Sequence, residues 1–222
     1  MAKKESDERP DIGNSVSKTG FTNFLINTLK IFGFIFLLPI VYGFSEGFFR
    51  QFSRQPITIV NSFIYAVCLY LLIHIFLFKP TPLFKFGERI VDKIFIFTGP
   101  LRRFFGYGVA FYCLIFFIYY FVLINFFQRS FDKENIVFML VFFFIMHLSL
   151  VAEELKEQHK DLFGISYLFY LSSVYIINLI ILGLFLSYLL EKFSFMEFIR
   201  FGYNFVVDAI TLMWQQLFVI NK

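Results

Sequence analysis

The chain alternates long apolar runs with short polar breaks. A helix needs roughly 20 mostly apolar residues to cross a bilayer. Five runs approach that length: Phe24 to Phe44, Pro56 to Phe78, Tyr107 to Phe127, Asn135 to about Ala152, and Ile165 to Leu190. Pro56 suits a first helical turn. Pro39 removes a backbone donor inside the first run and predicts a kink. Lys30, near the start of that run, can snorkel to the headgroups. The fifth run is long enough to tilt.

Two segments mix polar and apolar positions at helical spacing. In Phe84–Phe97, Lys85, Glu88, Arg89, Asp92 and Lys93 recur every three or four residues, with Ile90, Val91, Ile94 and Phe95 on the other side. This predicts an amphipathic helix lying on the membrane surface or on a partner, its apolar stretch too short to span. In the last segment, 193–220, the polar residues are Glu197, Arg200, Asn204, Asp208, Thr211 and Gln215, at steps of three, four, four, three and four. Those steps place all six on one helical stripe, with Phe, Ile, Val, Leu, Met and Trp on the other faces. Such a helix lies in the interface, or crosses with its stripe turned toward protein or water.

The pattern predicts an all-α, polytopic integral membrane helical bundle. It has five to six transmembrane helices, six favoured, plus the surface helix 84–97. Residues 1–20 read as a flexible polar cytoplasmic tail, and 21–222 as a single transmembrane domain.

Composition supports this reading. Of 222 residues, 59% are hydrophobic and 16% charged, against about 25% charged in soluble domains. The formal charge of +4 comes from Lys and Arg lying between apolar runs, not from a basic patch, so no nucleic-acid partner is expected. Cys68 and Cys113 fall inside apolar runs without a CxxC or Cys/His cluster, which supports neither a zinc site nor a disulfide framework. The acidic residues and late apolar onset of the first segment argue against a cleavable signal peptide. The first membrane helix is expected to act as an uncleaved anchor.

Loop charge sets the expected orientation. An inside N-terminus collects Lys3, Lys4, Arg9, Lys18 and Lys30, then Lys79, Lys85, Arg89, Lys93, Arg102 and Arg103, then Lys156 and Lys160. The outside loops carry only Arg50, Arg54, Arg129, Lys133 and Lys192. For a bacterial source, this is the inner membrane with a cytoplasmic N-terminus.

Candidate chemistry is sparse. There is no GxSxG, phosphate-binding Gly-rich loop, Rossmann fingerprint or HExxH. FKFGERIVDKIF has the outline of the FGHExxH context of multi-pass metalloproteases. It puts Glu88, Arg89 and Asp92 where the two ligands and the base would stand, so neither zinc nor proteolysis is assigned. No catalytic residue, metal or cofactor is expected.

The intramembrane polar candidates are His74, His147, Glu154 and Asn178. His147, Glu154 and Gln158 share one helical face, and an ionisable group at depth is a functional-site hypothesis by default. His74 and His147 meet if the second and fourth runs pack together, and with Glu154 they could hold a metal. A hydrogen-bonded neutral histidine is the simpler account, and the charged turn Glu153–Asp161 reads as a solvated helix end. Asn125, Asn178, and the small pair Gly183 and Ser187 read first as helix-packing contacts. Asp208 is hardest to dismiss, with Arg200 and Asn204 as partners along the stripe.

The sequence therefore favours a non-enzymatic membrane subunit of a larger assembly. It would contact the lipid bilayer and other membrane subunits, or self-associate, and dock through helices 84–97 and 193–220. A channel, transporter or pore-forming effector using the stripe is the first alternative. A membrane-embedded enzyme using His74, His147 and Glu154 is the second.

Overall fold

A backbone in hydrocarbon has no water to bond, so apolar runs satisfy their own amides as helices. The computed structural model describes residues 12–76, 81–94, 96, 110–128, 131–158 and 165–218. Its helices are α1 (Ile12–Phe52), α2 (Ile57–Phe76), α3 (Thr81–Ile94), α4 (Phe111–Phe127), α5 (Lys133–Gln158), α6 (Ile165–Leu189) and α7 (Phe195–Phe218). No strand occurs among the described residues.

Among the described residues, four helices are long and apolar enough to cross a membrane: Thr28–Phe52 within α1, Ile57–Phe76, Lys133–Glu157 and Ser166–Leu189. The chain thus has the helices of an integral membrane protein. Among the described residues, a fifth or sixth such helix is not found. The 17 residues of α4 make it about 25 Å long, short of the roughly 30 Å hydrocarbon core, and polar residues dilute α7.

The first helix begins at Ile12, inside the segment expected as a polar tail, and continues through Pro39. Residues 1–11 lie outside the described residues, as do Phe97 of the expected surface helix and His159–Asp161 of the charged turn.

Side-chain contacts fix the helix directions. Lys30 Nζ donates to Ser166 Oγ at 3.0 Å, and Ser45 Oγ meets Tyr175 Oη at 2.8 Å, so α1 and α6 run parallel. The expected snorkelling lysine thus has a protein partner. Tyr70 packs on Phe142 and His74 reaches Glu153, so α2 and α5 also run parallel. α7 runs back along α1, with Glu197 beside Gln51 and Val206 beside Gly43.

The core lies between α2, α4, α5 and α6 and reaches the ends of α1 and α7 through Phe48, Phe52, Phe193 and Phe198. Phe117 stacks on Phe185 with centroids 4.0 Å apart. Lipid is as apolar as these side chains, so close packing rather than water exclusion holds the helices together. On the outside, α2 exposes Ile64, Leu69, Leu72, Ile75 and Phe76, and α1 exposes Leu29, Phe32 and Phe36. An exposed apolar surface of this kind suits contact with a bilayer.

Candidate functional site

The last helix is anchored at its start. Ser194 precedes α7, and its Oγ accepts the Glu197 backbone N–H at 3.3 Å. In the usual S-x-x-E box the glutamate bonds back to the serine amide. Here Gln51, fully buried at the end of α1, stands between them. Its Oε1 accepts the Ser194 N–H at 3.4 Å, and its Nε2 donates to Glu197 Oε2 at 2.7 Å. Arg54 adds an ion pair to the same carboxylate at 3.6 Å.

Beyond this anchor, glycines bring the backbones together. A Cβ on Gly43 would stand 2.8 Å from the Gly202 carbonyl oxygen, and one on Gly47 would stand 2.9 Å from the Gly202 amide nitrogen. The rings of Phe44 and Phe198 pack edge to face beside this crossing. Gly183 of α6 leaves room for the Phe198 ring, which a Cβ there would meet at 2.9 Å. The expected close approach at Gly183 is therefore an approach by a ring.

Phe198, Gly202 and Val206 form the seated face of α7. At about 100° per residue, the stripe Glu197–Arg200–Asn204–Asp208–Thr211–Gln215 lies on the opposite face. Glu197 contacts α1, and Arg200 lies against the neighbouring Phe201 ring. Asn204, Asp208, Thr211 and Gln215 are exposed. From Val207 to Gln216 every side chain except Ala209 is exposed, so the distal half of α7 stands clear of the bundle.

The other candidates are dispersed. His74 Nδ1 lies 3.3 Å from the Tyr70 hydroxyl, and His74 Nε2 lies 3.4 Å from Glu153. Tyr70 also bonds to Ser149, so a polar chain joins α2 to α5. His147 is buried on α5, six residues before Glu153. The α2–α5 packing expected to join the histidines does occur, but His74 sits opposite Glu153. Among the described residues no group of three His, Cys, Asp or Glu side chains could hold a metal, so His74, His147 and Glu154 form no such group. Glu154 is half-buried and acts on Glu88 of α3. Burial first, then the charges of Glu154 and Asp92, push the Glu88 carboxyl above its ordinary value.

Asn178 has a structural task. It is buried half-way along α6, where its Oδ1 accepts the Ala110 N–H at 2.9 Å and its Nδ2 donates to the Val174 carbonyl. Non-helical backbone at membrane depth is tolerated only where protein satisfies it. Ala110, just before α4, is buried and so satisfied. Asn125 similarly donates to the Tyr188 hydroxyl at 3.2 Å.

A cleft of about 500 Å³ between α1, α5 and α6 is lined by apolar residues and by Ser45, Ser149, Ser172 and Tyr175. Of its hydroxyls, Ser45 and Tyr175 bond each other, and Ser149 bonds Tyr70.

Sequence reasoning missed Gln51 and the Gly43–Gly47 pair. The chain carries a signal for the second, since GFSEG is a small-xxx-small repeat. Ser194 and Glu197 likewise spell a capping box. Nothing local marks Gln51. Comparison with known protein families, curated proteins and solved structures finds no match for the chain.

Proposed function

We propose that this chain is a non-enzymatic integral membrane subunit of a larger assembly, and that the distal half of α7 docks a partner through Asn204, Asp208, Thr211 and Gln215. Asp208 carries the reading. It is exposed in the middle of α7, on the face turned away from α1. A carboxylate facing lipid at mid-helix costs ~3 kcal/mol on insertion scales. A polar surface on a neighbouring subunit removes that cost. In this reading α4 and α7 join the four long helices as fifth and sixth spans. The Lys and Arg bias supports a cytoplasmic N-terminus, in the inner membrane for a bacterial source. The amphipathic pattern of α3 lays it on the same surface.

The same stripe supports a second reading. Thr211 and Gln215 extend the polar line beyond Asp208, so a ring of copies would enclose a continuous polar path. Affinity purification from native membranes in mild detergent, read by intact-complex mass, separates the two. Other proteins at fixed stoichiometry, released by Asp208→Leu, are expected. A homo-oligomer shifts the account to the pore, tested by liposome flux that changes with Asp208→Asn. A lone chain in several mild detergents overturns both.

A further inference from the structure

Three guanidinium groups converge on one ring at the end of the bundle where α1 stops and α7 starts. The Cζ atoms of Arg50, Arg54 and Arg200 lie 4.9, 5.7 and 5.8 Å from the Phe201 centroid. Arg50 is in the last turn of α1, Arg54 in the turn after it, and Arg200 on α7. Stacking on an aromatic ring holds a guanidinium while leaving its N–H edge free. All three side chains are exposed.

The cluster is short of negative charge. Glu197 pairs with Arg54, but its carboxylate also accepts from Gln51. Glu46 lies one turn before Arg50 on α1. No carboxylate among the described residues is within ion-pair distance of Arg50 or Arg200. Three like charges gathered this closely repel one another. Both acids together leave one positive charge in excess. The location is equally specific, because the apolar span Thr28–Phe52 ends here, at the level of the headgroups of one leaflet.

We propose that Arg50, Arg54 and Arg200, gathered on Phe201, form a site for a phosphate-bearing anion, either the headgroup of an acidic phospholipid or a free phosphate. Guanidinium edges match phosphate oxygens two at a time. The site rests on the membrane reading of the chain but not on docking by the distal stripe. A lone chain with anion binding intact would count against docking alone.

The test uses the full chain in a neutral mild detergent, with thermal unfolding and native mass spectrometry as readouts. The probes are short-chain phosphatidylglycerol, phosphatidylcholine of the same chain length, and inorganic phosphate against chloride at equal ionic strength. Phosphatidylglycerol is expected to raise the melting temperature and persist as a bound mass, while phosphatidylcholine does neither. The triple variant Arg50→Gln, Arg54→Gln, Arg200→Gln should bind about tenfold or more weakly, and Lys133→Gln at the same end should bind normally. If the triple variant does not fold, Phe201→Leu, which removes only the stacking ring, should weaken binding several-fold. A response to phosphate alone assigns the site to the free anion, and a response to phosphatidylglycerol alone assigns it to the lipid. Equal responses to both lipids without a phosphate response, or unchanged binding in the variants, overturn the proposal.

Discussion

Gly47 and Gly202 meet backbone to backbone where α1 crosses α7. A Cβ on Gly47 would stand 2.9 Å from the Gly202 nitrogen and 3.1 Å from the Phe198 carbonyl oxygen. Neither atom can turn aside as a side chain can. This crossing directs one face of α7 at α1 and leaves Asn204, Asp208, Thr211 and Gln215 of the stripe facing away from the protein.

Gly47→Ala is therefore expected to destabilise the α1–α7 pair by roughly 1–3 kcal/mol, the usual range for overpacking. Gly33→Ala is the contrast, because its Cβ would meet the edge of the Phe169 ring at 2.9 Å. A ring can shift, so the loss should be smaller. Thermal unfolding of both variants in one detergent checks the order, and equal losses would contradict it.

Gln51→Leu removes a buried bridge and leaves the Ser194 N–H and one Glu197 oxygen without that partner. Each buried polar group left unsatisfied costs about 1–3 kcal/mol. Glu197 is partly exposed and also holds Arg54, so water recovers part of its share. A double-mutant cycle of Gln51→Leu with Glu197→Ala should show coupling. Strict additivity would mean that the bridge does not hold the start of α7.

Asn178→Leu strands the Ala110 amide inside the bundle. The expected cost is again about 1–3 kcal/mol, with faster hydrogen exchange at Ala110 and through the first turn of α4. Unchanged exchange at Ala110 would show that another group satisfies this amide.

Glu88 gives a pH dependence with a definite sign. Its raised proton affinity means that the folded chain holds this proton more tightly than the unfolded chain. Through this group, stability rises as pH falls from the raised value toward the ordinary 4.5 and levels off below it. Glu88→Gln should flatten that response and strengthen the seating of α3 at neutral pH. Limited proteolysis within α3 across this interval reads it, and an identical pH profile in the variant would refute it.

The four long helices were legible because an apolar run is a local property of the chain. The start of α4 was not, because Ala110 depends on Asn178, 68 positions away. GFSEG and the Ser194–Glu197 box are written in the sequence. Their partners, Gly202 and Gln51, exist only once α1 pairs with α7, and Gln51 and Glu197 are 146 positions apart. The six-residue stripe could be read from spacing alone, but its outward direction required the fit at Gly202. The two histidines illustrate the limit. Their meeting was conditional on α2 packing against α5, and the register that sets His74 against Glu153 instead rests on side-chain packing that the apolar pattern does not encode.

The most direct test of the docking stripe is photo-crosslinking in native membranes. A photoreactive side chain would replace Asn204, Asp208, Thr211 or Gln215 in turn, with Leu72 on the exposed face of α2 as the lipid-facing control. Crosslinks to a protein of discrete mass are expected from the stripe positions and not from Leu72. Stripe positions that give no protein adduct, or the same pattern as Leu72, would contradict the account.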